Sequence, residues 1–355
     1  MRTGLLIVVV ALLSVRLAGA PAAEAGEFPI RQCEGAIHDG FSGEYFQMNT
    51  LDRVDVVRGC VPSGADKVGI YQDRSGRRLQ RYGGGQFMWA PVPGLRIVGT
   101  TVSAKLRDAN GIRARVSGPS AQWGDFDLYD GQPHDGQLRT ARWSGETRRP
   151  DLVVLRLRCE RAGGCPNEPG GPKAFVELFD LEIRSRDVAA PQLTPSGSLW
   201  GSSGAGGWNR GGGTFGVFSY DPGGGISRGW LEVNGFDVDL GAVDCVGDRG
   251  AYATSFAPCP ANLSLGRSFD TSAAPFREGS NSVRLCVADF AIPAAGANHT
   301  CTASRNLAVD NEAPARPLGL EPVGGTGWRA GNGFEFEWQI PDGQASPVVA
   351  AEYLS

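Results

Sequence analysis

Short runs of alternating apolar and polar residues, each closed by glycine or proline, constrain this chain more than any other feature. In the segment Ala174–Ile183 and its continuation, Phe179, Leu181 and Ile183 fall to one side, with Asp180, Glu182 and Arg184 on the other. That is the two-residue period of a half-buried strand, whose side chains point alternately to opposite faces. Phe87–Ala90, Arg96–Arg107, Ile112–Val116 and Leu152–Cys159 are further strand-like runs. The breakers between runs come from 52 glycines and 23 prolines, and nothing reads as a long amphipathic helix. Sheets joined by turns follow from this pattern, so an all-β fold is expected. Hydrophobic residues make up 41% of the chain, enough for packed cores rather than disorder.

At roughly 100–200 residues per domain, a chain of 355 residues implies two or three. Residues 26–186 hold strands enough for one jelly-roll-like sandwich. The segment Arg186-Asp187-Val188-Ala189-Ala190-Pro191 then interrupts regular structure, because a proline restricts the residue before it. Residues 187–312 read as an immunoglobulin-like sandwich. There "GVFSYDPGGGISRGWLEVNG" gives strand, glycine-rich turn and strand, ending at Asn234-Gly235, a strong hairpin signal. Trp230 is the candidate for a tryptophan buried between its sheets. Residues 313–355 begin a third sandwich, with Trp338 on an early core strand and Tyr353 on the third. The sequence stops well short of the about 100 residues such a fold uses, so this segment is expected to be incomplete.

Met1-Arg2 followed by the apolar run Gly4–Val15 and then Ala23-Glu24-Ala25 has the layout of a signal peptide, with residues 1–25 removed on export. The run is too short to span a membrane, which takes about 20 helical residues. Export places the chain in a disulfide-forming compartment, either secreted or at the cell surface. Its eight cysteines fall as close pairs separated by long gaps, from which we expect Cys33–Cys60, Cys159–Cys165, Cys245–Cys259 and Cys286–Cys301. The spacings are wider than those of a structural zinc site, and His38, His134 and His299 are scattered.

The segments "MWAPVPGLRIVGTTVSAKLRDANG" and "LVVLRLRCERAGGCPNEPGGPKAFVELFDLEIRSRD" resemble the sugar-binding or concanavalin-like jelly rolls of exported actinobacterial proteins. "NSVRLCVADFAIPAAGANHTC" and "ASRNLAVDNEAP" resemble bacterial immunoglobulin-like repeats, and residues 313–355 resemble the opening of a fibronectin type III domain. The resemblance is to general layout, and it implies fold more than activity.

A formal charge of −4 gives no electrostatic basis for binding nucleic acid. Glycoside hydrolysis needs two facing carboxylates, and the nearest set is Glu177, Asp180 and Glu182. In a regular strand Glu177 points away from the other two, so this reads as a solvated outer face. Gly201-Ser202-Ser203-Gly204 lacks the five-residue form of a serine-hydrolase elbow. The richest patch is residues 123–136, where Trp123, Asp125, Asp127, Tyr129, Asp130 and Asp135 combine carboxylates with aromatic rings. Such a surface loop suits a saccharide or calcium, the one cofactor expectation the residues raise. The expected function is that of a non-catalytic, adhesive or glycan-binding protein. Its partner would be a cell-wall or extracellular polysaccharide, or another surface protein. An extracellular glycoside hydrolase or lyase and a purely structural envelope component are the alternatives.

Overall fold

A computed structural model describes residues 26–32, 44–47, 54–57, 68–72, 78–120, 124–144, 152–167, 171, 173–328, 330–331, 333 and 335–348. The expected signal peptide, the Cys33–Cys60 pair, Trp123 and Tyr353 lie outside the described residues.

The chain is all-β. Its first unit contains β1 (Gly26–Gln32), β2 (Glu44–Gln47), β3 (Val54–Val57), β4 (Val68–Gln72), β5 (Gly84–Trp89) and β6 (Leu95–Arg107). These are followed by β7 (Ile112–Ser120), β8 (Gly124–Asp127), β9 (Asp135–Ser144), β10 (Val153–Cys159) and β11 (Phe175–Asp187). One sheet has the order β3-β4-β11-β6-β9, with β1 also on β11, and the other runs β2-β5-β10-β7-β8. Alternating side chains such as Val102, Ala104 and Leu106 of β6 and Leu155 and Leu157 of β10 fill the space between them.

The long strand β11 departs from regular alternation. Leu178 pairs with Ala104 and Asp180 with Ser103, so Phe179 is an extra residue bulged out of the ladder. Val176, Leu178, Leu181 and Ile183 therefore face the core, while Glu177, Asp180 and Glu182 share the outer face. This corrects the expectation that Phe179 lies in line with Leu181 and that Glu177 points away from the other carboxylates. A bulge shifts the phase by one residue, and nothing in an unbroken apolar-polar alternation reports it.

The second unit comprises β12 (Gln192–Ser196), the short α1 (Ser198–Ser202), β13 (Trp208–Asn209), β14 (Gly212–Tyr220), β15 (Ile226–Val233) and β16 (Phe236–Asp239). It is completed by β17 (Asn262–Asp270), β18 (Gly279–Asp289), β19 (His299–Cys301) and β20 (Arg305–Val309). Three strands, β12-β14-β17, face a sheet of order β13-β20-β18-β15-β16 with β19 on β18. Asn234 and Gly235, at φ 52° and 87°, close the β15–β16 hairpin where the sequence placed a turn. Trp230 is only half-buried; its neighbour on the ring face is Arg228, 4.8 Å from the centroid. The buried tryptophan of this core is Trp200 on α1, under the guanidinium of Arg305 at 4.2 Å. Beyond it, β21 (Leu318–Pro322) and β22 (Phe336–Gln339) form a two-stranded ribbon with Leu318, Leu320 and Phe336 exposed.

The Cys159–Cys165, Cys245–Cys259 and Cys286–Cys301 disulfides are all formed. Three disulfides fit an oxidising compartment. Among the described residues no helix is long and apolar enough to cross a membrane. The loop closed by Cys245–Cys259 does more than decorate the second unit, because Ala253, Phe256 and Cys259, with Phe290, are part of the first unit's core. The Ala253 amide donates to the Pro29 carbonyl (2.7 Å) and the Arg31 amide to the Ala253 carbonyl (3.0 Å). Phe28 and Phe290 meet edge-to-face at 5.1 Å. One apolar cluster thus runs across the joint.

Candidate functional site

A tight turn at one end of the first sandwich sets up the cleft. Asn110 (φ 54°) and Gly111 (φ 82°) reverse the chain between β6 and β7, bringing Asp108 back against β7. There Asp108 accepts from the Ala114 amide (2.8 Å), Arg113 Nη1 (2.7 Å) and His134 Nδ1 (3.1 Å). Burial raises its carboxyl pKa, but the hydrogen bonds from His134, Ala114 and Arg113 outweigh that and hold it below the ordinary value. The bond to Asp108 in turn raises the pKa of His134, against the opposing effect of burial.

The turn between β8 and β9 forms the opposite wall. Asp127 Oδ1 accepts from the Tyr129 amide (2.9 Å), and the Gln132 amide donates to the Tyr129 carbonyl (2.9 Å). Tyr129 is fully buried, its hydroxyl 2.9 Å from the Val102 carbonyl and 3.0 Å from that of Arg139. The ring pins the turn to β6 and β9, and burial raises its hydroxyl pKa. Burial also raises the pKa of Asp127, against the pull of the Tyr129 amide.

Between these walls lies a cleft of about 380 Å³ lined by Asp108, Arg113, Arg115, Asp127, Asp130 and His134, with Tyr129, Gly131 and Gln132 completing it. Its chemistry is that of hydrogen bonding. Carboxylates alternate with guanidinium, amide and imidazole groups. Asp108 and Asp127 are held by the backbone amides they accept from, Arg113 and His134 by Asp108, and Arg115 by Glu160 (3.4 Å). No serine, threonine, cysteine or lysine is among these lining residues; the groups with acid, base or nucleophilic chemistry are the three aspartates, Tyr129 and His134.

Of the six residues singled out in the sequence, Asp127, Tyr129 and Asp130 line this cleft. Tyr129 serves as its buried support rather than as an exposed ring. Asp125 lies on β8, one residue pair along from Asp127. Asp135 starts β9 outside the lining, where it accepts from the Gln137 amide (3.0 Å) and pairs with Arg139 (2.9 Å). The described part of that segment, 124–136, is thus strand β8, a turn and the start of β9 rather than one free loop. Sequence reasoning missed Asp108, Arg113 and Arg115 because they come from a different hairpin. Among the described residues no group of three or more His, Cys, Asp or Glu side chains is arranged to hold a metal ion.

The other carboxylate set lies on the outer face of the six-stranded sheet. Glu177 accepts from the Tyr71 hydroxyl (2.8 Å), and Glu182 pairs with Arg31 (2.9 Å). Asp180, Glu182, Arg142 and Arg184 border a second depression of about 440 Å³. No family model matches the chain, and no curated protein matches it.

Proposed function

We propose that this is an exported, non-catalytic β-sandwich protein, a jelly-roll-like unit followed by an immunoglobulin-like one, that binds a polyhydroxylated ligand of the extracellular-polysaccharide class. The observation carrying this reading is the lining of the Asp108–Asp127–His134 cleft. Preordered acceptors stand beside planar donors at a loop end of a rigid sandwich, the place where such folds hold ligands. Sugar hydroxyls are matched by groups that both accept and donate, and fixed groups lose little rotamer entropy on binding. The strand order of the second unit, with three strands facing a larger sheet, supports the immunoglobulin-like assignment.

The test is a saccharide panel followed by calorimetric titration of the strongest binder against the intact chain, Asp127→Asn and Arg115→Ala. Loss of a charge-assisted hydrogen bond of about 1.5–3 kcal/mol should weaken binding roughly 10- to 150-fold. Unchanged affinity in both variants would remove the cleft as the binding site.

The bulge in β11 favours a second reading, in which Glu177, Asp180 and Glu182 act on a glycan across the outer face. Their existing ties to Tyr71 and Arg31 weigh against it. Release of reducing ends from any panel member, lost in Asp180→Asn, would establish this reading instead.

A further inference from the structure

Three aspartates meet at the joint between the two sandwiches, away from the cleft. Asp187 is the last residue of β11, Asp221 opens the Asp221-Pro222-Gly223-Gly224-Gly225 turn, and Asp289 is the last residue of β18. All three are fully buried, as is Asn298 beside them. Asp187 accepts from the Ala189 amide (3.0 Å) and the Gly224 amide (2.7 Å), and Asp221 Oδ2 from the Gly225 amide (2.8 Å). Asp289 Oδ2 accepts from Asn298 Nδ2 (2.6 Å), which also reaches the Asp187 carbonyl at 3.2 Å. Asp221 Oδ1 and Asp289 Oδ1 are buried with no partner. Asp187 also packs against Gly223, where the backbone comes too close for any side chain.

No positive side chain relieves this cluster among the described residues. On β1 and β11, Glu27 and Arg186 pair with each other (2.5 Å) on the opposite side of the strand from Asp187. On β15, Arg228 turns to Asp239 (2.7 Å) and Asp237 (3.6 Å). On β19, His299 is exposed. The turn 221–225 and the segment 188–191 carry no other charged residue beyond Asp221 itself. Three uncompensated negative charges in a dry joint are far costlier than three carboxylic acids, and ionisable groups in that position neutralise by holding protons.

We propose that the joint is a proton-held latch: Asp187, Asp221 and Asp289 pack together as protonated or proton-sharing carboxyls, and their ionisation as pH rises loosens the contact between the two sandwiches. Burial raises the pKa of all three, and it pushes Asp289 up to about 8, reinforced by the charges of Asp187 and Asp221. The folded chain then holds more protons than the unfolded one between the ordinary carboxyl value and the folded one. In that window stability falls as pH rises, and above it the latch contribution is gone.

The experiment follows thermal midpoints of the full chain and of Asp289→Asn from about pH 5 to about pH 9, with chelator and with added calcium. Amide exchange at Gly224 and Gly225 is followed over the same range. The expected result is a midpoint that drops by several degrees for the unmodified chain and much less for Asp289→Asn. Exchange at the two glycine amides should rise with pH beyond its intrinsic base dependence only in the unmodified chain. Asp221→Asn repeats the comparison if the first variant does not fold. Infrared difference spectra of the unmodified chain should show a protonated carboxyl stretch disappearing between about pH 6 and pH 9. Parallel pH curves, or absence of that band, overturn the proposal. So does a calcium-dependent rise in midpoint that Asp289→Asn abolishes, which would make the cluster a cation site.

Discussion

Asp108 shows how much one side chain can organise. Its two oxygens take a backbone amide, a guanidinium and an imidazole, tying β7 to the β8–β9 turn across 26 residues of sequence. His134 owes its elevated pKa first to that contact. The folded imidazole therefore binds its proton more tightly than the unfolded one. Its contribution to stability is complete below the unfolded value near 6.5 and disappears as pH rises through the higher folded value. An NMR titration of the ring should give a midpoint above about 6.5, and Asp108→Asn should bring it to that value or below. His134 and Asp127 stood together in the acidic segment that the sequence brought forward. Asp108 did not, because its role depends on which hairpin β6 and β7 form, and a single sequence does not state the pairing between hairpins.

At the level of elements, the bulge at Phe179 decides what β11 presents to solvent. Removing an inserted residue restores simple alternation, so deleting Phe179 should leave Leu178 and Leu181 inward and Glu177 and Asp180 outward. Deleting Leu181 has no such escape: with or without the bulge, Asp180 or Glu182 enters the core. The first deletion should unfold cooperatively near the parent midpoint in denaturant. The second should lose on the order of 3 kcal/mol or more, through an unpaired buried charge. Strands were legible wherever alternation was long, as in β6, β10 and β11, and Leu181 and Ile183, expected on one side of β11, are both buried. The strands β2 to β4 were not, since four or five residues carry too few periods to stand out. Trp230 misled for another reason: its place on a central strand does not tell which face it occupies, whereas Trp200 reaches the core from a single helical turn.

At the level of the whole molecule, the Cys245–Cys259 loop reaches out of the second unit and completes the core of the first. Such sharing makes the two units unfold together, and calorimetry should record one transition for both. Replacing Cys245 and Cys259 with serine should cost about 3 kcal/mol, the scale expected for a loop of this length. The same variant should speed amide exchange at Arg31, whose hydrogen bond to Ala253 depends on the loop (3.0 Å). The cysteine spacing indicated which residues pair, but not that one pair would clamp a neighbouring sandwich.

That clamp has a mechanical meaning. Tension along the chain would load not only the peptide segment after Asp187 but also the Ile292 amide on the Glu27 carbonyl (2.8 Å), the Ala253 contacts and the Phe28–Phe290 stack. The two sandwiches therefore behave as one stiff strut, without the free swivel of beads on a string. A ligand held at the far end of the first would be presented at a fixed reach and angle from whatever follows the second.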